Sequence, residues 1–77
     1  PSVLGTVWER LGKILEDFSD DDYLLCLGDP VAIAMATMVA SDANAGRVSV
    51  LKWDRRLQEY QPFRLDLRAL ARGPSEM

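Results

Sequence analysis

The chain has 77 residues, 48% of them apolar, with a formal net charge of −3 at pH 7. That length allows one domain with a thin core, because a chain this short buries only about 60% of the surface it exposes when unfolded. One cysteine excludes an internal disulfide, and the absence of histidine removes the commonest zinc ligand and the commonest general base. Oligomerisation is the stabilising device left to such a small scaffold.

The first segment, SVLGTVWERLGKILEDFSDDD, sets Leu4, Val7, Trp8, Leu11, Leu15 and Phe18 at helical spacing. Charged residues take the other side, which predicts an amphipathic helix of about four turns. Ser2 suits an N-cap, and Thr6 with Glu9 suits a capping box, so two starts stay open. Glu16 and Asp17 lie at the wrong end for the helix dipole, so the last turn should fray. The SDDD turn lacks the alternate ligand spacing and the glycine bend of a calcium loop and reads as a solvated turn.

YLLCLG, residues 23–28, reads as a strand buried on both faces at the centre of a sheet. Cys26 within it reads as a small hydrophobe, not a nucleophile. Asp29 as N-cap and Pro30 as first helical residue then start a helix that should run to about Ala43. Asn44 and Gly46 suit the left-handed residue that ends it. The Gly28-Asp29-Pro30 break leaves each apolar half too short to cross a membrane, which needs about 20 residues. The strand GRVSVLKW and the polar turn DRRLQ follow. The third strand is EYQPFRLDL, with Phe63, Leu65 and Leu67 on one face and Tyr60, Arg64 and Asp66 on the other. Pro62 makes it an edge strand. The segment RALARGPSEM suits one more helical turn, with a flexible tail at 73–77.

The expected fold is therefore one small α/β domain over residues 1–72, in the order α-β-α-β-β. Its three-stranded mixed sheet has a parallel crossover, then a hairpin, and two helices cover it. The middle helix is apolar almost all round. Val31, Met35, Met38 and Val39 form a large face suited to the sheet. Ala32, Ala36, Ala40 and Ala43 form a small face that admits another backbone. The first helix, a second copy of the chain, or an unrelated partner or membrane fills that alanine face. The open sheet face and the proline-bearing edge offer further routes to self-association.

Charge is unevenly spread. Residues 1–46 hold Arg10 and Lys13 against eight acids, and residues 47–72 hold seven bases against three. The halves either neutralise each other, the expected arrangement, or leave a polyanion-binding half. In the second case Lys52, Arg55 and Arg56 bring positive charge, and Trp53 and Tyr60 stack on single-stranded nucleic acid. The alternative is that Trp53 packs on Tyr60 or Arg64 while Asp54 opens the turn. Gly28 and Asp29 stand where a strand meets a helix N-terminus, a place for anions, with the N–H groups near Val31 and Ala32 as donors. Against that, Asp29 repels an anion and there is no glycine-rich cradle. No triad, carboxylate pair or nucleophile elbow is assembled, so the expectation is a non-enzymatic protein without metal or cofactor.

DDYLLCLGDPVAIA and GRVSVLKWDRRLQEYQPFRLDL resemble a set of small uncharacterised proteins from marine tailed phages, cyanophages included. The resemblance covers about residues 20–67 and is carried by Gly28-Asp29-Pro30 and Leu51-Lys52-Trp53-Asp54-Arg55. It implies an accessory role in the cytoplasm of an infected marine bacterium and brings no functional residues with it. One cysteine, no signal peptide and a PSVLG start that looks like the end left by removal of an initiator methionine fit the same cytoplasmic expectation. The resulting expectation is a protein-interaction domain that forms a homo-oligomer, with nucleic-acid binding as the alternative.

Overall fold

The structure is a computed structural model and describes residues 3–72. Its elements are α1 (Val3–Ile14), β1 (Leu24–Leu25), α2 (Pro30–Ala43), β2 (Arg47–Asp54), β3 (Glu59–Asp66) and α3 (Leu67–Arg72). The sheet order is β1-β2-β3, with β1 parallel and β3 antiparallel to β2. The mixed sheet, the crossover through α2 and the hairpin are those expected. The Ser2 cap and the 73–77 tail lie outside the described residues.

α1 stops at Ile14, short of four turns, and Thr6 lies inside it, so no capping box starts at Thr6. With two carboxylates where the dipole wants cations, the chain leaves the helix through a turn. There the Phe18 N–H donates to the Leu15 carbonyl at 2.9 Å. The turn carries Phe18 into the core, where it is buried with Ala40, Val48 and Val50 while Leu15, Leu24 and Cys26 pack around them.

β1 is not the buried central strand its composition suggests. It is two residues long and pairs only with β2, where Leu24 faces Val50 and Leu25 faces Leu51. The Cys26 N–H adds one more bond to Leu51, and then Leu27 turns back to Leu25 and the chain leaves the sheet. Successive residues of a strand point to opposite faces. Leu24 and Cys26 therefore reach the core, whereas Leu25 and Leu27 are exposed. The central strand is β2, whose Val48, Ser49 and Val50 are all buried.

α2 begins as the sequence dictates. Asp29 is extended and accepts from the N–H groups of Val31 at 2.7 Å and Ala32 at 3.2 Å, with Pro30 next. At the other end Gly46 is left-handed, at φ +87°, but Asn44 is not; Ala45 takes φ +54° instead. Asn44 uses its side chain, donating from Nδ2 to Asp20 Oδ1 and to the Arg47 carbonyl, both at 2.9 Å.

The inward side of α2 is not the large face as expected but a mixture of both faces: Ala40 and Met35 are buried and Ala36 and Val39 half-buried. Val31 and Met38, assigned to the sheet by size, are 65% and 63% exposed. A small side chain at position 40 lets Phe18 fill the space between helix and strand, and a large one there would exclude it.

The Leu67 N–H donates to the Gly46 carbonyl at 2.8 Å, so Leu67 opens α3 and does not end β3. That bond also fixes the parity of β3. Its odd-numbered residues turn their backbone groups toward β2, and its even-numbered residues turn theirs toward the free edge. Pro62, an even residue, removes no donor from the β2–β3 ladder, which is why a proline sits in mid-strand. Among the described residues no helix is long and apolar enough to cross a membrane.

Candidate functional site

The basic hairpin is built by its own turn. Asp54 Oδ1 accepts from the N–H groups of Arg56 at 2.9 Å and Leu57 at 3.0 Å, and Gln58 takes φ +54° to bring the chain back. Asx chemistry and one left-handed residue thus close the four-residue loop. It holds Arg55 and Arg56 out in solvent, as Asp54 at the head of DRRLQ implied.

Trp53 and Tyr60 are cross-strand partners in the register. Their ring centroids are 5.0 Å apart at 71°, an edge-to-face pair. Each ring remains about half exposed. Lys52, Arg55 and Arg56 converge on a shallow cavity of about 480 Å³, with Trp53, Asp54, Gln61 and Phe63 completing its wall. The hairpin therefore gathers its cations on one side while its two largest rings satisfy each other.

The acidic and basic halves of the chain are joined at one point. Arg47 Nε meets Asp20 Oδ1 at 3.0 Å, the one ion pair among the described residues. The hydrogen bond from Asn44, then the bond and charge from Arg47, hold the Asp20 carboxyl below the usual carboxylate range. Asp22 turns inward on the loop instead, accepting from Ser19 N–H and hydroxyl.

At Gly28 and Asp29 the two amides that an anion would need already donate to the Asp29 carboxylate. Of the alanine stripe, Ala40 is enclosed within the chain and is not presented to a partner. Ala32 and Ala36 line a small cavity with Leu11, Leu24 and Ile33; Ala32 is nonetheless exposed, as is Ala43. The first helix and the Phe18 turn thus take up the inward part of the alanine face.

What the helices do not cover is β3. Phe63 and Leu65 point to the helix side, opposite Val50 and Val48, yet are 49% and 45% exposed. On the other face Leu25, Trp53 and Tyr60 are nearly as open. Sequence periodicity marks Phe63 and Leu65 as one face but does not say whether the helices cover it. The available signal was arithmetic: two helices laid side by side over a sheet whose third strand carries an edge proline leave that strand bare.

The family described as Phage Pam3 gp32-like protein matches the chain over residues 2–67, and the chain belongs to that family. No curated protein and no solved structure matches it.

Proposed function

We propose that this phage protein is a non-enzymatic interaction domain that works as an assembly of its own copies, with the sheet as the contact surface, in an accessory role in the host cytoplasm. The observation that carries this reading is β3, whose Phe63 and Leu65 on the helix side and Tyr60 on the other are each about half exposed. Burying apolar surface stabilises by about 25 cal/mol per Å², so a second chain on β3 supplies what a thin core lacks.

The test is solution mass by light scattering across a dilution series. A dimer or larger assembly at micromolar concentration is expected, and Phe63→Lys should shift it toward monomer without altering the circular dichroism. A monomer at every concentration overturns the reading.

A second reading places single-stranded nucleic acid on the hairpin. It is favoured by the convergence of Lys52, Arg55 and Arg56 on one cavity with Phe63. Binding of a labelled oligonucleotide should then weaken steeply with salt and vanish in the Lys52, Arg55, Arg56 triple alanine variant. Unchanged oligonucleotide mobility at low salt removes this reading.

A further inference from the structure

We infer that two copies of this chain join their β3 edges antiparallel about a two-fold axis at Leu65, with Arg64 of each copy facing Asp66 of the other. This rests on the self-association proposed above and names its surface and register. The outward backbone groups of β3 belong to Tyr60, Pro62, Arg64 and Asp66, by the parity that the Leu67–Gly46 bond establishes. No hydrogen bond among the described residues occupies the outer-edge N–H groups of Tyr60 and Arg64.

A two-fold axis normal to the sheet keeps the helices of both copies on one side and runs the two β3 strands antiparallel. Directly opposed residues then share a face, so the registers form a short series, each centred on one residue. Centring on Pro62 sets two prolines opposite each other, with no donor between them. Centring on Arg64 sets two guanidinium groups together. Centring on Phe63 places Pro62 against Arg64 and leaves a bond unmade at each end. Centring on Leu65 pairs Arg64 with Asp66 twice, every backbone group of those residues finds a partner, and no proline enters the ladder.

The side chains agree with that register. Arg64 and Asp66 share the sheet face away from the helices, so each pair is an opposite-charge cross-strand pair, the arrangement that stabilises a ladder. One Asp66 oxygen accepts from the Arg68 N–H within its own chain at 2.9 Å, which leaves the other for the guanidinium. On the helix side the exposed Leu65 meets its own copy, and Phe63 lies opposite Leu67, which is 60% exposed. The result is a continuous six-stranded sheet whose formerly bare strands lie at its centre.

The register makes a crosslinking prediction. Leu65 and its copy form a non-hydrogen-bonded pair, with Cα atoms about 4.5 Å apart, within disulfide reach. Residue 63 and its copy are about 13 Å apart, beyond reach. In a Cys26→Ala background, Leu65→Cys treated with oxidised glutathione should give a disulfide-linked dimer, and Phe63→Cys should not. Charge exchange is the second readout. Arg64→Asp alone and Asp66→Arg alone should each weaken the dimer about tenfold, and the double variant should restore it. A dimer that crosslinks at residue 63, or at neither position, or in which the double charge exchange fails to rescue, overturns this register while leaving self-association standing. A parent chain that stays monomeric at all concentrations overturns both.

Discussion

Arg47 reaches back 27 positions to Asp20, and its Nε donates to Oδ1 at 3.0 Å. The same oxygen accepts from Asn44 Nδ2. One carboxylate therefore ties together the acidic turn, the end of α2 and the start of β2, which are the three segments that must meet for Phe18 to lie beneath Ala40.

A pH dependence follows from that contact. Asp20 titrates below its ordinary value of 3.8 when the chain is folded. A lowered folded pKa means that the contribution is complete above 3.8 and disappears as pH falls through the folded value. Asp20→Asn should lower the melting temperature at neutral pH, and the gap from the parent should close in strong acid. Asn44→Ala should reduce the gap in the same direction. A gap that widens on acidification contradicts the assignment.

Gly46 and Gly12 should respond oppositely to alanine. Gly46 is left-handed, and an added Cβ would lie 3.1 Å from Leu67 Cβ, an atom fixed by the Leu67–Gly46 backbone bond. Backbone strain of this kind costs about 1–3 kcal/mol. Gly12 lies within α1, and nothing stands within 4 Å of its missing Cβ. Alanine there should gain about 0.5–1 kcal/mol from helix propensity. Urea midpoints of the two variants should move in opposite directions.

The parts of the fold that could be read from sequence are those decided by local backbone chemistry. Asp29-Pro30 starts α2, Asp54 opens the hairpin, and Pro62 marks an edge, because capping, Asx turns and a missing N–H act within a few residues. The position of β1 and the orientation of α2 are decided at a distance. YLLCL is apolar enough for a central strand, but β1 lies at the edge of the sheet with β2 as its neighbour, and the chain turns back at Leu27 after two paired residues. Val31 and Met38 are large enough for the core, but it is Phe18, arriving from a turn outside any regular element, that packs with Ala40, Val48 and Val50. The candidate site divides the same way. Lys52, Arg55 and Arg56 follow from the turn that Asp54 opens, whereas the Trp53–Tyr60 pair depends on a hairpin register that the sequence leaves open, and the bareness of Phe63 and Leu65 depends on where two helices lie.

Ala40 and Ala43 test the orientation of α2 directly. Ala40 is wholly buried against Phe18, Val48 and Val50, while Ala43, on the same stripe, is exposed. Ala40→Leu forces extra atoms into a filled core and should destabilise by about 1–3 kcal/mol. Ala43→Leu should stay within about 0.5 kcal/mol of the parent. Ala43→Glu should leave the oligomeric state unchanged if β3 is the contact surface. Dissociation by that variant would return the interface to α2.

Asp29 separates capping from anion binding. Its carboxylate takes the two amides at the head of α2, so its role in the folded chain is structural. Asp29→Ala should destabilise by about 1 kcal/mol, and Asp29→Asn should avoid most of that loss, because an amide oxygen caps as well as a carboxylate does. Inorganic phosphate should leave the melting temperature of the parent unchanged. In Asp29→Ala the Val31 and Ala32 amides are released and the repelling charge is gone, so a phosphate-dependent rise in that variant alone would show that Asp29 holds the position an anion would otherwise take.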